Sequence, residues 1–405
     1  MALSSTEIII VNWNSREQTL ECVAAVEKQL GDVSVSSGGA SITVVDNGSS
    51  DGSTQAITIR HPRVKLFPLA ENRGFTGGLA AALAGSTARN VVFLNNDAVP
   101  EPGWLASMHA AMESAPADVV SVAGKIVSPD GQLIDFIGGV LTFDGHAFQN
   151  GFRMPAGSRP DPAPGDELLF ACGGNMISRR ELLMELGAFD DDYFAYLEDV
   201  DFGWRTWISG YRATIEPRAV VRHASSSTSQ RLGDFERGVL FERNALQTAL
   251  KNYEDIAQSA GSILFAYLHR LHHYATTRNL NVAELMRAPF GGAFANRAET
   301  RSLIKRAWRK LVGPAPIAAI DDPLTAMQFR ALEWIMRNQL RVATKREEVQ
   351  KRRKRSDAEI FAKFPLHFVP TYPGDDDLMR SPLFRALRPA LPSVERDLSE
   401  IMAKF

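Results

Sequence analysis

The chain has 405 residues, of which 45% are hydrophobic and 23% are charged. This balance is typical of a folded globular protein and excludes wholesale disorder. The formal net charge of -2 gives no overall attraction to polyanions, so we expect no nucleic-acid partner. Only Cys22 and Cys172 are present, far apart and without a metal-ligand spacing, which excludes a disulfide framework and a cysteine zinc site.

The N-terminal residues contain neither a signal-peptide pattern nor a membrane-spanning pattern. They lack a basic segment leading into an apolar stretch, and no window of the chain holds about 18 consecutive apolar residues. We therefore expect a cytoplasmic protein that is soluble or peripherally bound to the inner face of the cell membrane.

Short β-branched runs alternate with longer amphipathic stretches through the first half. This pattern is typical of βαβ units and predicts an α/β domain with a mainly parallel sheet. The predicted strands are Glu7–Asn12, Ser41–Asp46, Val64–Pro68 and Asn90–Asn95.

Polar clusters follow these strands at the points where the strands end. Open α/β sheets bind ligands at the carboxyl ends of parallel strands, so these clusters are the first candidates for chemistry. They are Asn12 to Asn14, Asp46 to Gly52, Glu71 to Gly78, and Asn95 to Asp97.

Each cluster also has an ordinary structural interpretation. Asp46 opens a turn of small residues, and it is equally suited to accept the imide N–H of uracil or thymine. Gly74 permits a close backbone approach to a ligand, although a glycine-rich loop alone is weak evidence. Asp97 is suited either to cap the following helix or to bind a divalent cation that stabilises a leaving diphosphate.

The segment Tyr196–Arg205 has helical spacing that places Leu197, Val200 and Trp204 on a core face, with Glu198 and Asp201 elsewhere. Asp199 then lies near the helix start. A carboxylate there is stabilised by the helix dipole, and it is also suited to act as a general base. His223 follows another short strand and is either a metal ligand or a hydrogen-bonded structural residue.

The character of the chain changes near Ser229. Short strands and turns are predicted for residues 116–164, and helical spacing dominates in Phe235–Tyr274, Ala298–Leu311 and Leu324–Arg355. We predict a catalytic domain over residues 1–229 and a mainly helical region over residues 230–405.

Taken in order, six motifs resemble glycosyltransferase family 2, particularly its bacterial rhamnosyltransferase-like and galactofuranosyltransferase-like members. They cover roughly residues 8 to 229. The motifs are IIIVNWNS, VVDNGSSDGS, ENRGFTGGLAAAL, VVFLNNDAVPEPGWL, CGGNMISRRELLMELGAFDDDYFAYLEDVDFGWR and VVRHASSSTS.

The resemblance implies a GT-A, Rossmann-like fold and a role for each matching residue. In the pair Glu198-Asp199, which we place in catalysis, Asp199 matches the family's base. Asp97 and His223 match its metal ligands for Mg²⁺ or Mn²⁺, and Asn95 takes the first position of an Asp-x-Asp motif. The remaining residues are expected to bind the donor: Asn12, Trp13 and Asp46 at the base, Asn72, Arg73 and Gly74 at the ribose or sugar, Asn96, and Gly173, Gly174 and Asn175 at the pocket floor.

The implied activity is inverting transfer of a sugar, with rhamnose or galactofuranose favoured, from a dTDP- or UDP-sugar. The expected acceptor is a glycan or a polyprenyl-linked molecule in bacterial cell-surface polysaccharide synthesis. A sugar-nucleotide-modifying enzyme and a non-catalytic scaffold remain as alternative functions. Homo-oligomer formation is also left open. A Rossmann dehydrogenase is disfavoured because no G-x-G-x-x-G follows the first strand.

Two basic stretches, Arg301–Lys310 and Arg341–Arg355, lie in the C-terminal half. The second contains eight Lys or Arg residues beside Glu347 and Glu348. Such a stretch is usually a solvated helix face, and the alternative is docking on anionic lipid. Asp190, Asp191 and Asp192 form a second candidate cation site, which we rank below Asp97.

Overall fold

The computed structural model describes residues 5–30, 39–224, 232–277 and 322–403. Strands and helices alternate at the start of the chain. The elements in chain order are β1 (Thr6–Asn12), α1 (Arg16–Gln29), β2 (Ala40–Asn47), α2 (Ser53–Arg60), β3 (Lys65–Leu69), α3 (Gly74–Ala84), β4 (Asn90–Asn95), β5 (Ala98–Pro100) and α4 (Trp104–Ser114).

Short strands and turns dominate the next part of the chain, as predicted. The elements are β6 (Val119–Val127), β7 (Ile134–Phe136), β8 (Gly139–Leu141), β9 (Ala147–Gln149), β10 (Glu167–Leu168), β11 (Asn175–Arg179), α5 (Arg180–Glu185), a 3₁₀ turn (Asp191–Tyr193), α6 (Glu198–Ile208) and β12 (Arg212–His223).

One sheet organises this half of the molecule in the strand order β10-β12-β6-β11-β4-β1-β2-β3. Strands β3, β2, β1 and β4 run parallel, whereas β11 lies antiparallel between β4 and β6. The register places Asn12 beside Asp46 and Val11 beside Asn95. The polar clusters after β1, β2 and β4 therefore meet at one edge of the sheet.

The central strands are apolar along their length because both faces of the sheet are covered. Ile8, Ile9 and Ile10 are fully buried, as are Val91 and Val92. The four predicted strands agree with the structure to within about a residue at each end, and the predicted α/β fold class, followed by a mainly helical region, is confirmed.

Helices dominate the described residues after β12. The elements are α7 (Asp234–Asn252), α8 (Ile256–Thr277), α9 (Pro323–Arg337), α10 (Gln339–Lys351), α11 (Asp357–Lys363), β13 (Leu366–Phe368), α12 (Asp375–Arg380), α13 (Pro382–Leu387), β14 (Ser393–Glu395) and α14 (Leu398–Ile401).

The predicted helical stretch Phe235–Tyr274 is broken near Tyr253, and the stretch Leu324–Arg355 is broken at Asn338. The predicted helix Ala298–Leu311 lies outside the described residues. None of the described helices is long and apolar enough to cross a membrane.

The helical region packs directly on the sheet domain. Trp204 of α6 makes edge-to-face contacts with Tyr253 and Phe361, and Phe143 stacks on Phe368 with ring centroids 4.9 Å apart. These residues belong to one hydrophobic cluster that includes the sheet strands. The division into residues 1–229 and 230–405 stays a prediction.

Candidate active site

A cavity of about 620 Å³ opens at the edge of the sheet where β1, β2 and β4 end. The segment before α6, the loop before α3 and the end of β12 complete its wall. Ten of the predicted site residues line it: Trp13, Asn72, Gly74, Asn95, Asn96, Asp97, Gly174, Glu198, Asp199 and His223.

Asn12 and Asp46 lie beneath this edge and are almost completely buried. The Asn12 amide donates to Asp46 Oδ1 at 2.8 Å, and Thr54 donates its hydroxyl to Asp46 Oδ2 at 2.6 Å. Neither residue lines the cavity. The nearby Asp51 accepts from Ser53 N at the start of α2, which is the turn-and-cap arrangement that the small residues here favour.

The loop 72–74 is fixed by Asn47, a buried residue that follows Asp46. Its amide donates to Asn72 Oδ1 and to the Gly74 carbonyl, both at 2.9 Å, and its own oxygen accepts from Arg73 N. Gly74 has φ of +75°, and a Cβ there would lie 2.4 Å from the Phe194 carbonyl oxygen. Only glycine fits this position, whereas the Arg73 side chain is exposed.

Asp97 lies next to His223 rather than at a helix start. His223 Nε2 is 3.0 Å from Asp97 Oδ1 and 3.0 Å from Asn95 Nδ2, while its Nδ1 is 3.0 Å from Asp135 Oδ2. Burial alone would lower the pKa of His223, but the hydrogen bonds and charges of Asp135 and Asp97 raise it to about 10. Helix α4 instead begins after Gly103.

The Asn96 side chain points back toward β1 and α1. Its amide donates to Thr19 Oγ1 at 3.0 Å and to Asn12 Oδ1 at 3.3 Å. Asn96 therefore connects the strand-end cluster of β4 to that of β1.

Glu198 and Asp199 stand at the first turn of α6. Asp199 accepts from Gly173 N at 3.1 Å and from Val200 N at 2.8 Å, which fixes its carboxylate at the cavity wall. Burial raises the pKa of Asp199. Burial and the charge of Asp199 raise the pKa of Glu198 to about 8, and Glu198 Oε2 has no hydrogen-bond partner.

Of the three predicted floor residues, Gly174 lies against the Asn95 amide, where a Cβ would come within 2.8 Å of Nδ2. Gly173 contributes its backbone N–H to Asp199. The Asn175 side chain faces the protein interior, accepting from Trp104 Nε1 at 2.8 Å and donating to the carbonyls of Lys125 and Ala219 at 3.1 Å.

The expectation that Asp201 lies away from the core is wrong. Asp201 is fully buried because α7 covers the face of α6 that the sheet does not. Its carboxylate accepts from Arg205 Nε at 2.9 Å and lies 3.0 Å from Lys251 Nζ. A periodic pattern on one helix cannot show that both faces are covered.

Asp190, Asp191 and Asp192 do come close together, with one carboxylate oxygen of each within 4.8 Å of the others. Lysines already balance this cluster. Lys251 Nζ lies 2.5 Å from Asp190 Oδ2, and Lys345 contacts all three carboxylates. The cluster is thus an ion-pair network between the 3₁₀ turn and the C-terminal helices.

Several cavity residues escaped the sequence prediction. Asp135 stands in the short strand β7, which carries no recognisable motif, and it reaches the site only because β7 pairs with β6. Asn47 lies in the VVDNGSSDGS motif, so the sequence did carry a signal for it.

Aromatic side chains form a further part of the cavity wall. They are Phe75, Phe136, Phe148, Phe152, Phe170, Phe194 and Phe241.

The cavity is rich in acidic groups. Asp97, Asp135, Glu198 and Asp199 all line it, and the described lining residues include no lysine or arginine. An anionic ligand such as a diphosphate therefore needs an added cation to enter this site favourably.

Comparison with known proteins agrees with this picture. Residues 7–187 match the family model described as glycosyl transferase family 2. An N-acetylglucosaminyl-diphospho-decaprenol L-rhamnosyltransferase of Mycobacterium tuberculosis is 28% identical over 219 residues, which cover 47% of this chain and 68% of that protein.

Two further proteins are similar over smaller or more divergent regions. The O-antigen biosynthesis protein RfbC of Myxococcus xanthus is 30% identical over 145 residues, covering 34% of this chain and 11% of that one. A solved mannosyltransferase of Pyrobaculum calidifontis, in complex with GDP-Man and Mn²⁺, is 20% identical, covers 82% of this chain and 86% of that chain, and has a TM-score of 0.45.

The α/β sheet, the strand-end cavity, the family-model match and the mycobacterial sequence relative identify a glycosyltransferase. More particularly, residues 7–187 of its sheet domain match glycosyl transferase family 2, the family that the motifs resemble.

Proposed function

We propose that the chain transfers a sugar from a nucleoside-diphosphate donor to a hydroxyl group of a glycan or polyprenyl-linked acceptor, with inversion at the anomeric carbon. The observation that carries this proposal is the shared cavity, in which Asp199 faces the same space as Asp97 and His223. A base and a diphosphate site must lie together in this way for a single in-line displacement.

Asp199 is the proposed general base. Its carboxylate is held by two backbone N–H groups, so it keeps one orientation at the cavity wall. Burial raises its pKa, which brings it closer to the range of an effective base near neutral pH. The base removes the proton of the acceptor hydroxyl as the oxygen attacks, and no covalent enzyme intermediate is required.

A divalent cation, Mg²⁺ or Mn²⁺, is proposed to bind in the same cavity beside Asp97 and His223, where Asp97 Oδ1 lies 3.0 Å from His223 Nε2. Asn95 lies there too, but its amide nitrogen is the atom 3.0 Å from His223 Nε2, so the amide must turn to offer its oxygen as a ligand. Carboxylate and amide oxygens suit Mg²⁺, and imidazole is also accepted by Mn²⁺ and similar metals. Asp97 and His223 would hold the cation, whose charge would stabilise the leaving diphosphate.

The donor is proposed to be a dTDP- or UDP-sugar, with rhamnose or galactofuranose favoured. Support comes from the motif order and from the name of the mycobacterial relative, an L-rhamnosyltransferase whose name also specifies a decaprenol-linked acceptor. Trp13, which lines the cavity, is proposed to contact the nucleotide base, with the buried Asn12 and Asp46 supporting it from behind. Asn72, Arg73 and Gly74 are proposed to approach the ribose or sugar, with Gly173 and Gly174 at the floor and the buried Asn175 side chain beneath them.

The proposal is tested by incubating the purified chain with individual dTDP-, UDP- and GDP-sugars and a lipid-linked acceptor. Release of nucleoside diphosphate should require Mg²⁺ or Mn²⁺ and should stop in excess EDTA. Thermal-shift screening of the same donors identifies the preferred nucleotide base, because a ligand that binds only the folded protein raises the stability of that protein. Metal-independent transfer would contradict the assignment of the metal site.

Peripheral contact with an anionic membrane also stays a proposal, although part of the basic surface that suggested it makes contacts within the protein. Four of the eight cations of the stretch Arg341–Arg355 are partly buried against the protein. Among them, Arg346 donates to the carbonyls of Leu250 and Glu254, and Arg355 donates to that of Tyr211. The other stretch, Arg301–Lys310, lies outside the described residues. Flotation with anionic vesicles at low and high salt tests this contact, and no salt-sensitive binding would refute it.

A further inference from the structure

Seven consecutive residues, 194–200, all line the cavity, and they include the proposed base Asp199. The backbone of this segment is unusual. Phe194, Tyr196 and Leu197 have φ of +64°, +70° and +62°, in the left-handed region that non-glycine residues rarely adopt. Such conformations persist only where surrounding groups hold them in place.

The residues that hold the segment come from α7, in the helical region. The buried Asn244 amide donates to the carbonyls of Ala195 at 2.8 Å and Tyr196 at 2.7 Å within the segment, and to that of Tyr193 at 3.0 Å just before it. These carbonyls cannot enter a regular hydrogen-bond ladder in this backbone conformation. Asn244 therefore supplies a hydrogen bond to each of these acceptors, and the Tyr193 carbonyl also accepts from Ala195 N at 2.7 Å.

Arg243, the neighbouring residue of α7, shares one of these carbonyls and binds the one before it. Its Nη2 donates to the carbonyls of Asp192 at 2.7 Å and Tyr193 at 2.8 Å. The guanidinium also lies over the ring of Trp334, 4.8 Å from its centroid, which connects α9 to the segment.

One and two turns further along α7, Thr248 and Lys251 contact residues that flank the segment on both sides. The Thr248 hydroxyl lies 2.7 Å from the Tyr193 hydroxyl. Lys251, only 1% exposed, lies 2.5 Å from Asp190 Oδ2 and 3.0 Å from Asp201 Oδ1, so a single ammonium joins the residues before and after the cavity wall. The spacing of 244, 248 and 251 places these side chains on one helix face.

We infer that Asn244 and Arg243 are positioning residues for Asp199: they fix the left-handed backbone of residues 193–197 and so set where the first turn of α6 places its carboxylate. This inference rests on the proposed function for the role of Asp199. It makes the helical region a part of the active site, although α7 lies outside the matched residues 7–187.

The main test compares Asn244→Ala with a matched control, Asn338→Ala, in the full chain. The Asn338 amide also donates to a backbone carbonyl in the helical region, that of Trp334 at 2.8 Å, but it does not touch the segment. We expect the transfer kcat of Asn244→Ala to fall about a hundredfold, since small displacements of a catalytic group have effects of this size. The donor KM should change less than about threefold, because donor-binding groups are untouched.

A second pair of variants keeps the inference testable should Asn244→Ala fail to fold. Arg243→Lys keeps the charge but replaces the planar guanidinium, whose Nη2 reaches both carbonyls, with an ammonium of different reach and geometry. Its matched control is Arg346→Lys, which alters a guanidinium that binds carbonyls at the other end of α7. Arg243→Lys should lower kcat and shift the pH profile of transfer, whereas Arg346→Lys should lower only thermal stability.

Hydrogen–deuterium exchange separates this inference from the proposed function. Peptides covering residues 190–201 should exchange faster in Asn244→Ala than in wild type and should be unchanged in Asn338→Ala, whether or not a transfer reaction is found. Faster exchange without any wild-type transfer would refute the proposed function alone. Unchanged exchange and unchanged kcat in both segment variants would overturn the positioning role.

Discussion

The Nδ1 atom of His223 lies 3.0 Å from Oδ2 of Asp135, on the side of the imidazole opposite Asp97. A carboxylate in this place fixes the orientation of the ring and directs Nε2 toward the proposed metal site. Asp135 is held in turn by the Gln149 amide at 3.3 Å.

Replacing Asp135 by Asn should therefore weaken metal binding although Asp135 is not itself a proposed ligand. We expect a loss of about 10- to 100-fold in Mn²⁺ affinity, the usual effect of removing such a partner. Mn²⁺ titration of donor binding by calorimetry measures this. Asp130→Asn, in the exposed turn before β7, is the matched control, and equal Mn²⁺ affinity in both variants would contradict the prediction.

Asp199→Asn should abolish transfer and leave donor binding nearly intact. The change keeps the size of the side chain but removes the proton acceptor, and general bases contribute about 10²- to 10⁴-fold to such rates. Steady-state transfer and donor affinity are measured on the same preparation. Full transfer activity in this variant would refute the base assignment.

Asp97→Ala should weaken metal-dependent donor binding, by more than about tenfold, or about 1.4 kcal/mol. The physical reason is that Asp97 is the carboxylate 3.0 Å from His223 Nε2, in a cavity whose described lining carries no Lys or Arg. Donor binding is compared with Mn²⁺ and with EDTA. The same metal dependence in variant and wild type would count against Asp97 as a ligand.

Glu198 makes folding stability depend on pH. Burial and the charge of Asp199 raise its pKa in the folded state to about 8, from an ordinary value of 4.5. Between these values the unfolded chain has lost this proton while the folded protein keeps it, so the free energy of unfolding falls as pH rises through that window.

Glu198→Gln has no titrating group at position 198, so it is the control for the pH dependence of the free energy of unfolding. Urea unfolding of both proteins at about pH 5 and about pH 8 should show wild type losing stability relative to the variant, by more than about 1 kcal/mol. Parallel pH dependence of the two proteins would show that Glu198 ionises normally.

Gly74→Ala should destabilise the fold and the donor site together. A Cβ at this position would lie 2.4 Å from the Phe194 carbonyl, and φ is +75°. Gly157→Ala is a matched control with φ of +85° and open space around it. Both variants bear the left-handed strain, so the extra loss in Gly74→Ala, expected to exceed about 1 kcal/mol in urea unfolding, reports the close contact. An equal loss in the two variants would contradict it.

The sequence by itself determined the α/β class, the positions of the first four strands and the polar residues at their ends. Strands buried on both faces must be continuous apolar runs, and the residues that follow them must share one edge of a parallel sheet, so local pattern was sufficient. The order of the motifs likewise indicated glycosyl transferase family 2, whose family model matches residues 7–187.

Only the tertiary structure decided which of these side chains face the cavity. Asp46 is buried behind it, Asp135 enters from a short strand without a motif, and Asn244 acts from a helix more than forty residues after Asp199 in the chain. It also showed that Asp201 is buried and that the aspartates 190–192 are balanced by lysines. Such relationships depend on packing between elements distant in sequence, which hydrophobic periodicity does not encode.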